Sequence, residues 1–216
     1  MRNFDAIIFD MDGLIVDTEA MMQKEVKNLL EEMGFFVKED MLLQLIGLSD
    51  TKTEQTLKNM LGEAFPFQLY LEQLLKRKEL LFENQPIAVK AGLWELLAYL
   101  KKQDIKSILA TGSSRKYVQL VLNKTGLSEQ FHTFVCKDDV KRGKPFADIF
   151  LKAVEKLQLP KERCLILEDS QNGIIAAKNA EIPVFFIKDL VMSEEIWMNA
   201  IYAQGKTLSD VIAYLE

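Results

Sequence analysis

The chain has 216 residues, of which 49% are hydrophobic and 27% charged, enough for one doubly wound domain or a core with an inserted subdomain. Its formal net charge of -5 disfavours a nucleic-acid partner, because binding to phosphate backbones requires basic surfaces that displace counterions. No segment approaches the roughly 20 apolar residues of a membrane span, and the first residues lack the plan of a signal peptide. We therefore expect a cytoplasmic protein with no membrane partner, and a monomer by default.

The cysteines and the single histidine do not form a metal site by their spacing. Cys136 and Cys164 lie in separate apolar segments, which predicts two buried and reduced thiols. His132 stands beside Phe131 and Phe134, which favours a half-buried packing residue over a catalytic base.

The first part of the chain contains one strand-like run followed by a long helical stretch. Residues 4–9 are mostly apolar and end abruptly at Asp10 and Asp12, as a buried parallel strand would. Residues 22–33 show helical periodicity, and residues 40–82 continue it in three further helices without a strand-like run.

After Pro86 strand-like and helix-like segments alternate. The strands are predicted at 105–110, 134–136, 164–167 and 184–187, the helices near 93–100, 118–122, 149–157 and 174–178, and a short closing helix at 209–216. This alternation predicts an α/β fold: a doubly wound parallel sheet, or Rossmann-like core, with an inserted all-helical cap subdomain. We expect the core to comprise residues 1–16 and 85–216, and the cap residues 17–84.

Polar residues follow the carboxyl ends of three predicted strands, where open parallel sheets bind their ligands. They are Asp10 and Asp12 after the first strand, Thr111 and Gly112 after the second, and Glu168 and Asp169 after the fourth. Clustered carboxylates repel one another unless a cation is present, and oxygen ligands without nearby His or Cys suit Mg²⁺. Lys144, in a polar loop, and Thr111 add donors for an anion, so the sequence predicts a phosphate site.

The polar residues lie in four segments: FDMDGLIVDTE at 9–19, ATGSS at 110–114, GKPFADIF at 143–150 and EDSQNGIIAA at 168–177. These segments resemble, in the same order, the four motifs of the haloacid dehalogenase-like superfamily. The resemblance implies that Asp10 is the nucleophile that carries a phosphoryl group, and that Asp12 is the general acid and base.

The same resemblance implies a set of ligands for the ion and the phosphate. Mg²⁺ would be held by the Asp10 carboxylate, the Asp12 backbone carbonyl and Asp169, with Glu168 helping directly or through water. The phosphate oxygens would be held by Thr111, Gly112 and Lys144.

The length of the helical insert is similar to that of the subgroup containing beta-phosphoglucomutase and small sugar-phosphate phosphatases. The insert would be a mobile cap that selects the substrate, and its candidate substrate contacts are Glu19, Met22, Lys52 and Lys78. The mutase has a histidine where this chain has Met22, and an arginine near residues 49–51, where this chain has none. Both departures favour hydrolysis over transfer between sugar oxygens.

The sequence therefore predicts a magnesium-dependent phosphatase that hydrolyses a small phosphorylated metabolite, a sugar phosphate, through an aspartyl-phosphate intermediate. Two alternatives stay open: a phosphosugar mutase of the beta-phosphoglucomutase type, and a non-catalytic binding protein on the same fold.

Overall fold

The computed structural model of the protein describes residues 4–46, 48, 50–187 and 201–216. The chain divides into two compact units. One comprises Met1–Asp17 and Ile87–Glu216 and contains the sheet; the other, Thr18–Pro86, is helical. We call them the core unit and the helical unit.

The core unit is built on a parallel sheet with six strands among the described residues, in the order β3-β2-β1-β4-β5-β6. The strands are β1 (Ala6–Phe9), β2 (Lys106–Ala110), β3 (Phe134–Val135), β4 (Cys164–Glu168), β5 (Val184–Ile187) and β6 (Ala203–Gly205). Strands β1, β4 and β5 are buried along their whole length, so they appear in the sequence as continuous apolar runs. The predicted doubly wound parallel sheet is confirmed.

The helical unit has an apolar core of its own. Its helices are α1 (Glu19–Glu32), α2 (Glu39–Leu43), α3 (Asp50–Leu61) and α4 (Phe67–Asn84). Leu29 of α1, Leu57 of α3 and Tyr70 of α4 are buried in one shared cluster. Arg77 of α4 also forms an ion pair with Glu32 of α1. These contacts lie within the unit, so its helices pack against one another around their own buried side chains.

Within the part of the core unit that the structure describes, four α-helices accompany the strands: α5 (Leu93–Lys102), α6 (Arg115–Thr125), α7 (Asp148–Leu157) and α8 (Gln171–Ala180). Ile149 of α7 and Ile174 of α8 join Ile8, Ile108 and Ile166 of the strands in one buried cluster. This cluster therefore lies between the sheet and the apolar faces of α7 and α8.

Helix α6 begins where the sequence places polar residues after β2. Ser114 is its N-cap, and the Ser114 hydroxyl accepts a hydrogen bond from the Tyr117 N–H at 3.4 Å. Gly126 ends the helix in the left-handed conformation that glycine adopts without steric cost. The first turn of α6 is thus fixed at the carboxyl end of β2.

The order of the strands reverses between β1 and β4, which makes this pair the topological switch point of the sheet. Phe9 of β1 pairs with both Leu109 of β2 and Leu167 of β4. The Asp10 N–H extends the ladder by donating to the Leu167 carbonyl at 3.1 Å. Because of this register, Asp10 and Glu168 are adjacent at the carboxyl ends of the two central strands.

The structure shows whether the two cysteines and the single histidine are buried. Cys136 and Cys164 are buried and form no disulfide, as predicted. His132 is exposed, so the prediction of a half-buried packing residue is wrong; Phe131 takes the buried position instead, with its ring 5.3 Å from that of Phe9. No helix among the described residues combines the length and apolar character needed to cross a membrane.

Candidate active site

Three carboxylates converge at the switch point. One oxygen from each of Asp10, Glu168 and Asp169 lies within 4.8 Å of an oxygen of the other two. Asp10 directly follows β1, and Glu168 is the last residue of the adjacent β4, so the register of the sheet brings them together. Asp10 is 7% exposed and Glu168 is fully buried. Buried negative charges at such short range require a cation.

Lys144 provides one positive charge to this cluster. Its Nζ donates to Asp10 Oδ1 and Glu168 Oε1 and lies 5.0 Å from the centroid of the Phe150 ring. Burial disfavours the ammonium form, but the two carboxylates outweigh this effect and raise the pKa of Lys144. Lys144 therefore stays charged at neutral pH and can hold an anion.

Burial is the largest influence on Asp10. It raises the pKa of this carboxyl group from 3.8 to about 7; Lys144 opposes the rise, and Glu168 adds to it. A divalent cation would offset the same cost of burying a negative charge. The three clustered side chains offer carboxylate oxygens, a ligand type that suits Mg²⁺ better than metals that prefer sulfur or nitrogen, so these residues fit a magnesium ion.

Glu168 is fixed by donors on both of its oxygens. Oε1 accepts a hydrogen bond from the Lys144 ammonium. Oε2 accepts hydrogen bonds from the Asp169 N–H, the Ser170 N–H and the Ser170 hydroxyl, each at 3.0 Å. Gly173 of α8 provides the space, because an added Cβ at that position would lie 1.8 Å from Glu168 Cδ. These contacts favour an orienting role for Glu168.

Asp12 lies two residues beyond Asp10, in a turn that Gly13 forms with a φ of 82°. Its carboxylate accepts a hydrogen bond from the Ser113 hydroxyl at 2.6 Å and another from the Tyr117 hydroxyl at 3.0 Å. Sequence reasoning missed both contacts. Neither Ser113 nor Tyr117 was singled out as a partner of Asp12; Ser114, the next residue after Ser113, is the N-cap of α6.

The loop after β2 carries the other predicted anion donors. Thr111 is buried at 1% exposure. Its Oγ1 accepts a hydrogen bond from the Ser113 N–H at 3.1 Å, and a hydroxyl that accepts can still donate its own hydrogen. Gly112 is exposed, and a Cβ added there would meet no atom within 4 Å. The backbone at Gly112 is thus open to approach, and its role towards phosphate stays a prediction.

The candidate substrate contacts belong to the helical unit. Met22 is on α1, Lys52 is exposed on α3, and Lys78 is on α4. The side chain of Glu19 lies outside the part of the chain that the structure describes. Contacts between these four residues and a substrate stay predictions.

A separate cavity of about 470 Å³ lies at the amino end of β2, away from the carboxylates. Two of its lysines are engaged with backbone carbonyls: Lys106 donates to the Leu157 carbonyl at 3.4 Å, and Lys156 donates to the Phe134 carbonyl at 2.8 Å. Lysines are favourable in the last turn of a helix, where Lys156 lies. We therefore locate the chemistry at the carboxyl end of the sheet.

A Rossmann-like sheet with a buried aspartate after its first strand, and with a lysine and two acids beside it, is the arrangement of a haloacid dehalogenase-like hydrolase. Residues 7–187 match the model of that family, haloacid dehalogenase-like hydrolase. The chain belongs to this family, as the resemblance of its motifs predicted.

Two curated relatives and one solved structure illustrate the similarity. A phosphorylated carbohydrates phosphatase from Thermotoga maritima is 32% identical over 82% of this chain and 82% of its own length. A beta-phosphoglucomutase from Bacillus subtilis is 31% identical over 81% of this chain and 79% of its own. A haloacid dehalogenase-like protein of unknown function from Agrobacterium tumefaciens has the same fold, with a TM-score of 0.84, 24% identity and coverage of 98% of this chain and 97% of its own.

Proposed function

We propose that the protein is a magnesium-dependent phosphatase that hydrolyses a small phosphate monoester through a phosphoryl group carried on Asp10. The observation that carries the proposal is the buried cluster at the switch point, in which Asp10 contacts Lys144 and lies within 4.8 Å of two further carboxylates. Asp10 directly follows β1, where its carboxylate can attack a bound phosphate, and the surrounding charges suit a cation and a phosphate.

In the first step an Asp10 oxygen attacks phosphorus, and the bond between phosphorus and the ester oxygen breaks. The leaving oxygen takes a proton from the Asp12 carboxyl group, which becomes a carboxylate. Lys144 offsets charge on the oxygens of the transferred group, and Thr111 and the backbone N–H of Gly112 would donate to the same oxygens.

In the second step a water oxygen attacks the phosphorus of the aspartyl-phosphate. The Asp12 carboxylate takes a proton from that water, and the bond between Asp10 and phosphorus breaks to release inorganic phosphate. Asp12 thereby regains the proton that it gave to the leaving group, so the cycle closes without another reactant.

Asp10, Asp169 and the backbone carbonyl of Asp12 would hold the magnesium ion, while Glu168 orients Lys144. When bound, the ion would supply electrostatic stabilisation for the charge on the phosphate. The donors that already occupy both oxygens of Glu168 support its indirect role.

The substrate that we propose is a sugar phosphate, because the Thermotoga maritima relative is a phosphorylated carbohydrates phosphatase. The helical unit would act as the cap that selects it, through Glu19, Met22, Lys52 and Lys78. We also propose that the enzyme acts as a monomer in the cytoplasm. The proposed chemistry of the core unit depends neither on the monomeric state nor on the cytoplasmic location.

A phosphosugar mutase is the second candidate, because one relative is a beta-phosphoglucomutase. Met22 at the position of the mutase histidine, and the lack of an arginine near residues 49–51, favour the phosphatase. A binding protein without turnover is disfavoured, because Asp10, Asp12 and Asp169 are all retained.

The test is release of inorganic phosphate from a panel of sugar phosphates and other small esters, with Mg²⁺ and with a chelator. We expect release that requires Mg²⁺ and is lost in Asp10→Asn, with Asp104→Asn, an exposed aspartate beyond the end of α5, as the matched control. Release that continues in Asp10→Asn would refute the proposed nucleophile. Conversion of beta-glucose 1-phosphate to the 6-phosphate without free phosphate would establish the mutase instead.

A further inference from the structure

Both oxygens of the Asp12 carboxylate receive hydroxyl groups from the segment that follows β2. The Ser113 hydroxyl donates to Oδ2 at 2.6 Å, and the Tyr117 hydroxyl donates to Oδ1 at 3.0 Å. Two donors on two different oxygens fix the plane of a carboxylate, whereas one donor would leave it free to rotate.

The backbone holds both donors in place. The Ser113 N–H donates to the Thr111 hydroxyl at 3.1 Å, and the Ser113 carbonyl accepts from the Lys137 N–H at 3.0 Å. Tyr117 lies in the first turn of α6, three residues after its N-cap, and is only 8% exposed. A buried ring on a capped helix has little freedom to move its hydroxyl.

We propose that Ser113 and Tyr117 are positioning residues that hold Asp12 in the orientation needed to give a proton to the leaving group and to take one from water. The inference rests on the proposed function, because the two hydroxyls matter only through the two proton transfers that Asp12 makes in the proposed mechanism. A hydroxyl both donates and accepts. The same pair can therefore hold Asp12 as a carboxylate and, after one hydroxyl turns, as a neutral carboxyl group.

The arrangement has a consequence for the fate of the aspartyl-phosphate. Both donors belong to the core unit, as Asp12 does, so the base that activates water is oriented by the unit that carries the phosphoryl group. Hydrolysis then follows phosphoryl transfer directly, which suits a phosphatase more than a mutase, whose phosphoenzyme must outlast its encounters with water.

Removal of one hydroxyl at a time tests the proposal. Tyr117→Phe keeps the buried ring and removes only the donor, Ser113→Ala removes the second donor, and Ser113→Thr restores a hydroxyl. Tyr202→Phe, which changes a half-exposed tyrosine packed on Phe4 in the same unit, is the matched control. Each variant is assayed with an alkyl phosphate ester of the panel and with p-nitrophenyl phosphate.

With the alkyl ester we expect kcat to fall about 10-fold in Tyr117→Phe and in Ser113→Ala at nearly constant KM, because a misaligned acid or base loses part of its usual 10²–10⁴-fold effect. p-Nitrophenolate leaves without a proton, so the transfer of its phosphoryl group to Asp10 should keep the parent rate in both variants. A burst of p-nitrophenolate equal to the enzyme concentration, followed by slow turnover, is therefore expected. Ser113→Thr should recover most of the kcat that is lost in Ser113→Ala, and Tyr202→Phe should behave as the parent.

Parent-like kcat on both esters in Tyr117→Phe and Ser113→Ala would overturn the positioning role. So would an equal fall on both esters without a burst, accompanied by a lower melting temperature, because that pattern reports a folding defect. If the parent chain itself releases no phosphate from any ester, the proposed function fails first, and the inference falls with it.

Discussion

Gly173 is a position at which helix propensity and the geometry of the site predict opposite signs for one substitution. Alanine in the interior of a helix is favoured over glycine by about 1 kcal/mol, so Gly173→Ala in α8 should be stabilising on propensity alone. The structure places Glu168 Cδ 1.8 Å, and both carboxylate oxygens at most 2.2 Å, from the new Cβ. Either the buried carboxylate or the helix must move.

The cost follows from what Glu168 contacts. Moving its carboxylate separates it from the Lys144 ammonium and from three donors at 3.0 Å on Asp169 and Ser170. Breaking a fully buried ion pair costs about 3–5 kcal/mol, because a charge is left without its partner. Subtracting the gain from propensity, we expect Gly173→Ala to lower the free energy of unfolding by about 2–4 kcal/mol.

Urea unfolding of the parent, of Gly173→Ala and of Lys178→Ala measures this difference. Lys178 is exposed on the same helix, so its substitution controls for the effect of alanine on α8. Calorimetric titration with Mg²⁺ should also show weaker binding in Gly173→Ala alone. A Gly173→Ala protein as stable as the parent, with unchanged Mg²⁺ affinity, would refute the packing argument.

Four further predictions follow from burial. Because burial raises the pKa of Asp10 to about 7, Mg²⁺ should bind more tightly as the pH rises from about 6 to about 8, and Asp10→Asn should remove most of that dependence in a titration. Because the pKa of Asp10 is 3.8 in the unfolded chain and about 7 in the metal-free fold, its contribution to stability is fully present below about pH 4 and is lost as the pH rises to about 7. The melting temperature of the metal-free parent should therefore fall between about pH 4 and about pH 7. Leu57 is fully buried in the helical unit, so Leu57→Ala should cost about 2–5 kcal/mol in denaturant unfolding; a loss below about 1 kcal/mol would contradict a packed core there. Burial raises the pKa of the Cys164 thiol to about 11, so a thiol reagent at neutral pH should label it only after unfolding; rapid labelling of the native protein would contradict its burial.

The fold was predictable because its strands are buried on both faces. Residues 6–9 and 164–168 are apolar throughout until an acid ends them, and that pattern has few other interpretations. Strand β6 was not predicted, since Ala-Gln-Gly at 203–205 has neither an apolar run nor β-branched residues. It exists because it pairs with β5, and pairing with a distant strand leaves no local signal.

The ends of the short elements were predicted less well, for reasons that the structure supplies. Cys136 was predicted to belong to a strand. Its N–H instead donates a hydrogen bond to the Asp139 carboxylate at 2.9 Å, and Cys136 begins a 3₁₀ turn, so β3 stops at Val135. The closing segment is a 3₁₀ helix at Leu208–Tyr214 instead of the predicted helix at 209–216. At its N-terminus the Asp210 carboxylate accepts hydrogen bonds from the Lys206 and Thr207 N–H groups, so these bonds involve only neighbouring residues.

Part of the candidate site was visible in the sequence because its residues lie at, or directly after, the carboxyl ends of strands. Asp10 and Glu168 follow this rule, and the parallel register then brings them together. The contacts of Tyr117 with Asp12, and of Gly173 with Glu168, were missed because a helical sequence pattern does not show which of its residues face the site. A signal was present in each case: Tyr117 is in the first turn after a strand end, and a glycine inside a helical pattern indicates close packing.

The central claim is that Asp10 carries the phosphoryl group, and trapping the phosphoenzyme tests it most directly. The protein is mixed with Mg²⁺ and a radiolabelled phosphate ester that it hydrolyses, quenched in acid during turnover, digested and mapped by mass spectrometry. We predict an acid-stable, hydroxylamine-labile label on the peptide that contains Asp10, and a stronger label in Tyr117→Phe. Rapid turnover with a label on any other residue, or with no label in either protein, would contradict the account.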